Sequence, residues 1–170
     1  IRRPPCYKLF PYTKLFRYVV NSGTMLVVPG TINARITGGL VNAGSLTFTN
    51  AFASGPVTNS GSFSFSGAIS NSYVQTAGGL TLHNSATITG TASVTAGAFD
   101  LNGKSYSNGL MVVSGSGVLT SSQANATFNG GLSNAATVFL AQNTFFNSAV
   151  TNTGTFGFQG AISNNLVNSG

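Results

Sequence analysis

The chain has 170 residues, a net charge of +6 at pH 7 and a sequence pI of about 10.0, yet only 5% of its residues are charged. Asp100 is the only acidic residue and His83 the only histidine. One acid is too few for the paired carboxyl groups of a glycosidase or for a calcium site with several acidic ligands. The single cysteine, Cys6, likewise excludes an internal disulfide framework and a thiolate metal site.

Most of the positive charge lies in the first 18 residues, which are basic, aromatic and unlike the rest of the chain. The basic residues of this segment are Arg2, Arg3, Lys8, Lys14 and Arg17. After it, the only charged residues are Arg35, Lys104 and Asp100. No basic stripe could therefore follow a phosphate backbone, and we predict no nucleic-acid partner. The apolar runs are far shorter than the roughly 20 residues of a membrane-spanning helix, so no transmembrane segment is predicted.

From Val19 onward one short motif recurs, in which an Asn-x-Gly step precedes alternating apolar residues. The first copies are VVNSGTMLV around Asn21, LVNAGSLTF around Asn42 and VTNSGSFSF around Asn59. In the middle of the chain the motif is degraded, and we place Thr76 and Thr95 at the Asn position, with a looser copy near Gly115. The last copies are LSNAATVFL around Asn134, VTNTGTFGF around Asn152 and LVNSG around Asn168. Together they make about nine units with a mean period of about 18 residues.

Each unit has the pattern of short β-strands. Apolar and polar residues alternate with period two in segments such as 46–48, 63–65 and 156–158. Ser, Thr, Asn and Gly make up 81 of the 170 residues, which favours strands and turns over helices. A unit of this length suits one coil of strands joined by turns. We therefore predict an all-β fold, a right-handed parallel β-helix (β-solenoid) of about eight to nine coils with roughly 18 residues per coil, whose hand follows the general preference of parallel crossovers.

The Asn residues of the motif are expected to be structural. Asn and Gly both tolerate the left-handed backbone conformation that a tight corner needs. In a solenoid these Asn residues would also lie in register, where side-chain amides can hydrogen-bond from coil to coil as a ladder. The predicted corner and ladder residues are Asn21, Asn42, Asn59, Asn134, Asn152 and Asn168.

The sequence predicts no catalytic, cofactor-binding or metal-binding residue. His83 follows Leu82, an expected inward residue, and is therefore expected to point to solvent. It has no residue with which to build a metal site or a catalytic triad, except Asp100 one coil away. Ice binding needs outward hydroxyls at the same place on successive coils, whereas threonine runs such as 87–91 do not keep one register. Ice-binding and carbohydrate-active β-helices are therefore minor alternatives.

Residues 19–170 resemble the strand repeats of secreted bacterial β-helix proteins, namely filamentous-haemagglutinin-type exoproteins and autotransporter passenger domains. The resemblance rests on LVNAGSLTF, VTNSGSFSF and VTNTGTFGF. It implies export across the outer membrane, right-handed coiling, and roles in adhesion, aggregation or biofilm. The chain departs from the family pattern because its period varies from 16 to 21 residues and its middle coils lose the Asn.

Residues 1–18 resemble a sequence of another kind. The stretch IRRPPCYKLFPYTKLFRY agrees at 13 of 18 positions with IRRPPRSTLFPYTTLFRS, the translation of a sequencing-library adapter. We therefore interpret residues 1–18 as adapter-derived and residues 19–170 as a solenoid fragment. The alternative is a native basic arm that caps the first coil or touches a membrane surface.

The function expected from these patterns is that of a non-enzymatic, adhesin-like stalk segment, extracellular or on a bacterial cell surface. Its partners would be cell-surface glycans, bound through many weak hydroxyl and amide contacts along the rod. The alternative is a structural subunit that stacks end to end with its own copies into an extracellular filament. No polar cap is readable after the last motif, which favours that alternative.

Overall fold

A computed structural model describes residues 15–27 and 35–170. In these residues the chain is all-β, and parallel strands stack into a β-solenoid of about seven turns with about 19 residues per turn. The predicted all-β solenoid is thereby confirmed. Residues 1–14 of the predicted non-repeat segment, with Cys6, lie outside the described residues, as do residues 28–34 of the first coil. The right-handed sense of the coil stays a prediction.

Sixteen strands are described, and they pair in parallel. They are β1 (Leu15–Phe16), β2 (Val19–Asn21), β3 (Thr24–Val27), β4 (Arg35–Ile36), β5 (Leu40–Asn42), β6 (Ser45–Ala53), β7 (Val57–Asn59), β8 (Ser62–Ile69), β9 (Tyr73–Gln75), β10 (Gly79–Asp100), β11 (Ser105–Ser121), β12 (Thr127–Asn134), β13 (Thr137–Phe146), β14 (Val150–Asn152), β15 (Thr155–Ile162) and β16 (Leu166–Asn168).

Each turn contains three strand segments, and equivalent segments of successive turns form three stacks. The first stack contains the three-residue strands that end at the Asn position, such as β2, β5 and β7. The second stack contains β3 and the first halves of β6 and β8. The third stack contains β4 and the second halves of β6 and β8. The long strand β10 passes through all three stacks, and its register shifts mark the corners between them.

The core is a narrow column of inward side chains that runs along the solenoid. Phe48 and Phe65 occupy equivalent positions on neighbouring coils, are both 0% exposed, and stack with ring centroids 6.0 Å apart. Further along, Tyr106, Phe128 and Phe146 contact one another in order at centroid distances of 5.3 and 5.0 Å. Burying one such side chain stabilises a fold by about 1.5–3 kcal/mol. Because the rings touch across coils, each coil is stabilised mainly by its neighbours.

The corner between the first and second stacks has no room for side chains. A Cβ atom on Gly44 would lie 2.0 Å from the carbonyl oxygen of Gly23, and one on Gly61 would lie 2.1 Å from that of Gly44. Gly78 repeats this close approach to Gly61 at 2.1 Å, with a positive φ of 64°. At these three corners Gly is therefore required by the distance between successive coils, whereas the Asn134 copy carries Ala136 at the Gly position.

Candidate functional site

The first three Asn residues of the motif form a chain of amide hydrogen bonds inside the solenoid. Asn21 Nδ2 donates to Asn42 Oδ1 at 2.7 Å, and Asn42 Nδ2 donates to Asn59 Oδ1 at 2.7 Å. Each amide also reaches the second stack, because Asn42 Nδ2 donates to the carbonyl oxygen of Ser62 at 3.0 Å. Asn42 and Asn59 are 0% exposed. Their side chains thus join coils to one another and are not accessible to a ligand.

A second run of the same kind lies near the other end of the chain. Asn134 Nδ2 donates to Asn152 Oδ1 at 2.6 Å, and Asn152 Nδ2 donates to Asn168 Oδ1 at 2.6 Å. All six Asn residues singled out by the sequence therefore occupy one register position of the first stack.

Between the two runs, the sequence placed the wrong residues at the Asn position. The register aligns Asn59 with Gln75, and then Gln75 with Val94 and Val94 with Val113, so the placement of Thr76 and Thr95 is wrong by one residue. The physical reason is that this position faces the core, where Val94 and Val113 are fully buried. The ladder is therefore interrupted for two coils by apolar packing.

The expected left-handed backbone is found at other Asn residues. Within residues 15–27 and 35–170, the positive φ angles outside glycine belong to Asn50, Asn102, Asn125 and Asn143, with values from 46° to 66°. None of the six ladder residues is among them. Asn serves at the ladder position because its buried amide can donate one hydrogen bond and accept another at the same time. The close approach of the backbones at the corner depends on Gly instead.

The outward side chains at the start of the second stack form a neutral array, which we call the hydroxyl face. In register across three coils stand Thr24, Ser45 and Ser62. Two residues further along the strands, the first of these coils carries the exposed Leu26 and the next three coils carry Thr47, Ser64 and Thr81. Neighbouring coils lie about 4.8 Å apart and alternate residues of a strand about 6.7 Å apart. The face thus presents hydroxyl groups at regular spacing and without charge.

His83 lies at the corner after this face and contacts three hydroxyl groups of the two preceding coils. Its Nδ1 atom lies 2.9 Å from Ser64 Oγ, and its Nε2 atom lies 3.1 Å from Thr49 Oγ1 and 3.1 Å from Ser66 Oγ. The side chain is only half-buried, so the expectation that it points to solvent holds in part, and its ring is turned back toward the preceding coils. We call these four residues the His83 cluster.

The partners of His83 were missed although the sequence held a signal for them. Thr49, Ser66 and His83 are spaced by 17 residues, which is close to one coil, so each is the corner residue of its own coil. Hydroxyl groups at the repeat spacing would have identified the cluster.

A serine beside a histidine can also be a nucleophile paired with a general base. Such chemistry requires that a substrate reaches the serine and that an acid orients the histidine. Ser66 is 0% exposed, so no substrate reaches its hydroxyl. Asp100, which could orient the imidazole, accepts hydrogen bonds from the backbone N–H groups of Asn102 and Ser122, each at 2.8 Å. The described contacts of His83 are hydroxyl groups, and no carboxylate is among them.

Two buried tyrosines are further polar groups of the core. Tyr73 donates its hydroxyl proton to Gln75 Oε1 at 2.6 Å, at the coil where the Asn ladder ends. Tyr106 is equally buried, and its hydroxyl has no hydrogen-bond partner among the described residues. Burial raises the pKa of both phenols well above the usual value of a tyrosine. The folded chain therefore holds both phenol protons to a higher pH than an exposed tyrosine does.

Within residues 15–27 and 35–170, no group of three or more His, Cys, Asp and Glu side chains could hold a metal ion. Among the same residues, no helix is long and apolar enough to cross a membrane. Comparison of the chain with protein families, with curated proteins and with solved structures finds no match.

Proposed function

We propose that this chain is a non-enzymatic segment of an adhesin-like stalk, extracellular or on a bacterial cell surface, that binds glycans through many weak contacts. The observation that carries the proposal is the hydroxyl face. Its outward groups are uncharged, repeat from coil to coil and stand on a rigid core. Sugars present hydroxyl groups that exchange hydrogen bonds with such a surface, and repetition along a rod converts weak contacts into avidity.

A glycan array probed with the full chain tests this proposal. The informative variant is the double substitution Thr47→Val and Thr81→Val, which keeps the β-branched shape and removes two hydroxyl groups from the face. Two hydrogen bonds of about 0.5–1 kcal/mol each correspond to a loss of roughly tenfold in affinity. The matched control is Thr58→Val in the first stack, where the register neighbours Val41 and Val74 are already valines.

Three results would count against the stalk proposal. The wild-type chain could bind neither glycans nor cells, or the control could weaken binding as much as the double variant does. Turnover of polysaccharides, measured as release of reducing ends, would contradict the non-enzymatic part. The proposed location is tested by labelling intact source cells with an antibody against the chain, since a surface protein is labelled without lysis.

A second candidate function is a structural subunit that assembles with its own copies into an extracellular filament. The favouring observation is that the coils are interchangeable: the rung Val19–Asn21 and the rung Leu166–Asn168 belong to one continuous register. Rungs of two copies could therefore pair as rungs of one copy do. Electron microscopy and sedimentation of the full chain over a range of concentrations distinguish the two, because only a filament former gives rods that lengthen with concentration.

A further inference from the structure

Past the hydroxyl face, the outward column that contains Thr81 carries residues of a different chemistry. In β10, Asp100 follows Thr81 by one turn of the solenoid. The register then aligns Asp100 with Thr120 on β11, and Thr120 with Phe139 on β13. Three successive coils thus present a carboxylate, a hydroxyl group and an aromatic ring in one line. We call Asp100, Thr120 and Phe139 the Phe139 cluster.

Phe139 is an exposed aromatic residue whose neighbour on the next coil makes room for its ring. The side chain is 65% exposed, and the residue aligned with it on the following coil is Gly157. A Cβ atom on Gly157 would lie 2.8 Å from Phe139 Cδ2, so the edge of the ring covers this glycine. In the best-matching copy of the motif, Ser64 stands at the place of Gly157. The ring therefore lies close to the backbone, while most of its surface stays accessible.

Asp100 is held by the backbone and keeps an oxygen atom available. The N–H groups of Asn102 and Ser122 both donate to its Oδ1 atom, each at 2.8 Å. Among the residues that the structure describes, none donates to Oδ2. A carboxylate oxygen accepts a stronger hydrogen bond from a hydroxyl group than a neutral acceptor does. Thr120 lies between Asp100 and the ring, and its half-buried hydroxyl can donate and accept.

We propose that the Phe139 cluster is a subsite for a neutral glycan of β-linked hexopyranose units. One sugar ring would stack on Phe139, and Thr120 and Asp100 would bind hydroxyl groups of that sugar and of its neighbour. Such sugars have an apolar face of C–H groups that packs on an aromatic ring, and a rim of hydroxyl groups that donate to a carboxylate. Successive coils lie about 4.8 Å apart, so Asp100 and Phe139 are roughly 10 Å apart, which accommodates two sugar units.

The charge of the subsite selects among glycans. Asp100 is the only acid of the chain, and it stands in the line along which the glycan would lie. Its carboxylate repels the carboxylate or sulfate groups of acidic glycans. The inference rests on the proposed glycan binding, and it adds the class of glycan and the residues that bind it.

Binding of matched glycans to the full chain tests the class. The neutral probes are cellohexaose and chitohexaose, and the acidic probe is cellouronate, in which the C6 hydroxyl groups of cellulose are oxidised to carboxylates. We expect a neutral probe to bind more tightly than cellouronate. On titration with that probe, the amide resonances of Thr120 and Phe139 should shift and that of Phe145 should not. Equal or tighter binding of cellouronate overturns the proposal, as does the absence of binding to both neutral probes.

Four variants assign the binding to the cluster. Phe139→Leu keeps an apolar side chain over Gly157 but removes the aromatic face, so it should lower the affinity about fivefold without changing the Tm. Phe139→Tyr keeps the ring and should keep the affinity. Asp100→Asn retains an acceptor for the two backbone N–H groups and should lower the affinity about threefold. The matched control is Phe145→Leu, since Phe145 is 45% exposed on the same strand but belongs to the third stack, and it should change nothing.

The results also separate this inference from the proposal on which it rests. Undiminished affinity in Phe139→Leu, with weaker binding by the double variant Thr47→Val and Thr81→Val, overturns the subsite and leaves the hydroxyl face as the binding surface. An equal loss of affinity in Phe139→Leu and Phe145→Leu overturns the subsite as well. Tight binding of acidic glycans alone overturns the assigned class but agrees with an adhesin-like stalk, whereas a chain that binds no glycan of any class contradicts both proposals.

Discussion

At the scale of the residue, Tyr73 and Tyr106 show that a buried tyrosine hydroxyl can either stabilise or destabilise the same core. Both are 0% exposed. The hydroxyl of Tyr73 donates to Gln75 Oε1, whereas the hydroxyl of Tyr106 finds no partner among the described residues. An unsatisfied buried polar group costs about 1–3 kcal/mol, while a hydrogen bond that is made contributes about 0.5–1.5 kcal/mol to stability. The effect of removing the oxygen therefore depends on its partner.

We predict that Tyr106→Phe raises the free energy of unfolding by about 1 kcal/mol and that Tyr73→Phe lowers it by about 1–2 kcal/mol. The first change removes an orphaned hydroxyl, and the second leaves Gln75 Oε1 without its donor. Urea unfolding of the full chain, followed by circular dichroism, measures both. Changes of the same sign in the two variants would contradict the assigned hydrogen bonds.

The same two phenols make the fold sensitive to alkali. Burial raises the pKa of Tyr73 and of Tyr106, so the folded chain holds these protons to higher pH than the unfolded chain does. Their contribution is fully present below about pH 10, the ordinary tyrosine value, and is lost as the pH rises above it. We expect the free energy of unfolding to fall between about pH 10 and pH 12. Stopped-flow absorbance should show that phenolate from these tyrosines appears only as the β-sheet signal disappears, and Tyr106→Phe should reduce that coupled absorbance.

At the scale of the single coil, the Asn-x-Gly step combines two requirements. The Asn side chain is buried and bonded to the next coil, and the Gly two residues later lets the backbones approach. A larger residue at the corner would push apart the same coils that the amides join. The two requirements can be tested separately.

The corner requirement predicts opposite outcomes for two Gly→Ala substitutions. A Cβ on Gly61 would lie 2.1 Å from the carbonyl oxygen of Gly44, so we expect Gly61→Ala to destabilise the fold by more than about 2 kcal/mol. A Cβ on Gly23 would have no described atom within 4 Å, and Gly23→Ala should be neutral or stabilising by up to about 1 kcal/mol. Thermal unfolding of both variants measures the difference, and similar Tm values would show that the corner relaxes without strain.

The ladder requirement predicts a large effect at Asn42. Asn42→Leu preserves volume but leaves the amide of Asn21 without its acceptor and Oδ1 of Asn59 without its donor. Two unsatisfied buried groups should lower the free energy of unfolding by about 2–5 kcal/mol. Val41→Thr on the outer side of the same strand is the control, since Thr58 occupies that position one coil later. Its effect should stay within about 0.5 kcal/mol.

The sequence predicts the parallel coil correctly but does not predict the side-chain contacts at its corners. The alternation in segments such as 63–65 and the recurrence of Asn and Gly sufficed for the parallel solenoid, because both follow from local rules of strands and turns. Thr76 and Thr95 are misplaced because the prediction aligned polar residues with the Asn of the motif. The register instead aligns residues whose side chains face the core, which are Gln75 and Val94. The His83 cluster depends on how far a corner side chain reaches back, and this is set by backbone geometry that the repeat pattern does not contain.

At the scale of the whole molecule, the strand pairings of the described residues join each coil to its immediate neighbours. In such an architecture stability is approximately the sum of terms for each coil and for its contacts with its neighbours. Phe99 lies in the middle and is 0% exposed, with ring centroids 5.9 Å from Tyr73 and 5.1 Å from Tyr106. Phe156 lies in β15 and is only half-buried, although it contacts Phe146 and Phe158.

We therefore predict different consequences for the same truncation at these two positions. Phe99→Ala should lower the free energy of unfolding by about 3–5 kcal/mol, as expected for a buried aromatic residue, and Phe156→Ala by about half as much. Phe99→Ala also weakens the contacts between two halves of the rod, so its urea transition should broaden or separate into two steps, while that of Phe156→Ala stays single. Hydrogen exchange of the two variants identifies the coils that open. Uniform loss of protection along the whole rod in Phe99→Ala would mean that the solenoid unfolds as one cooperative unit and that its coils are coupled beyond their nearest neighbours.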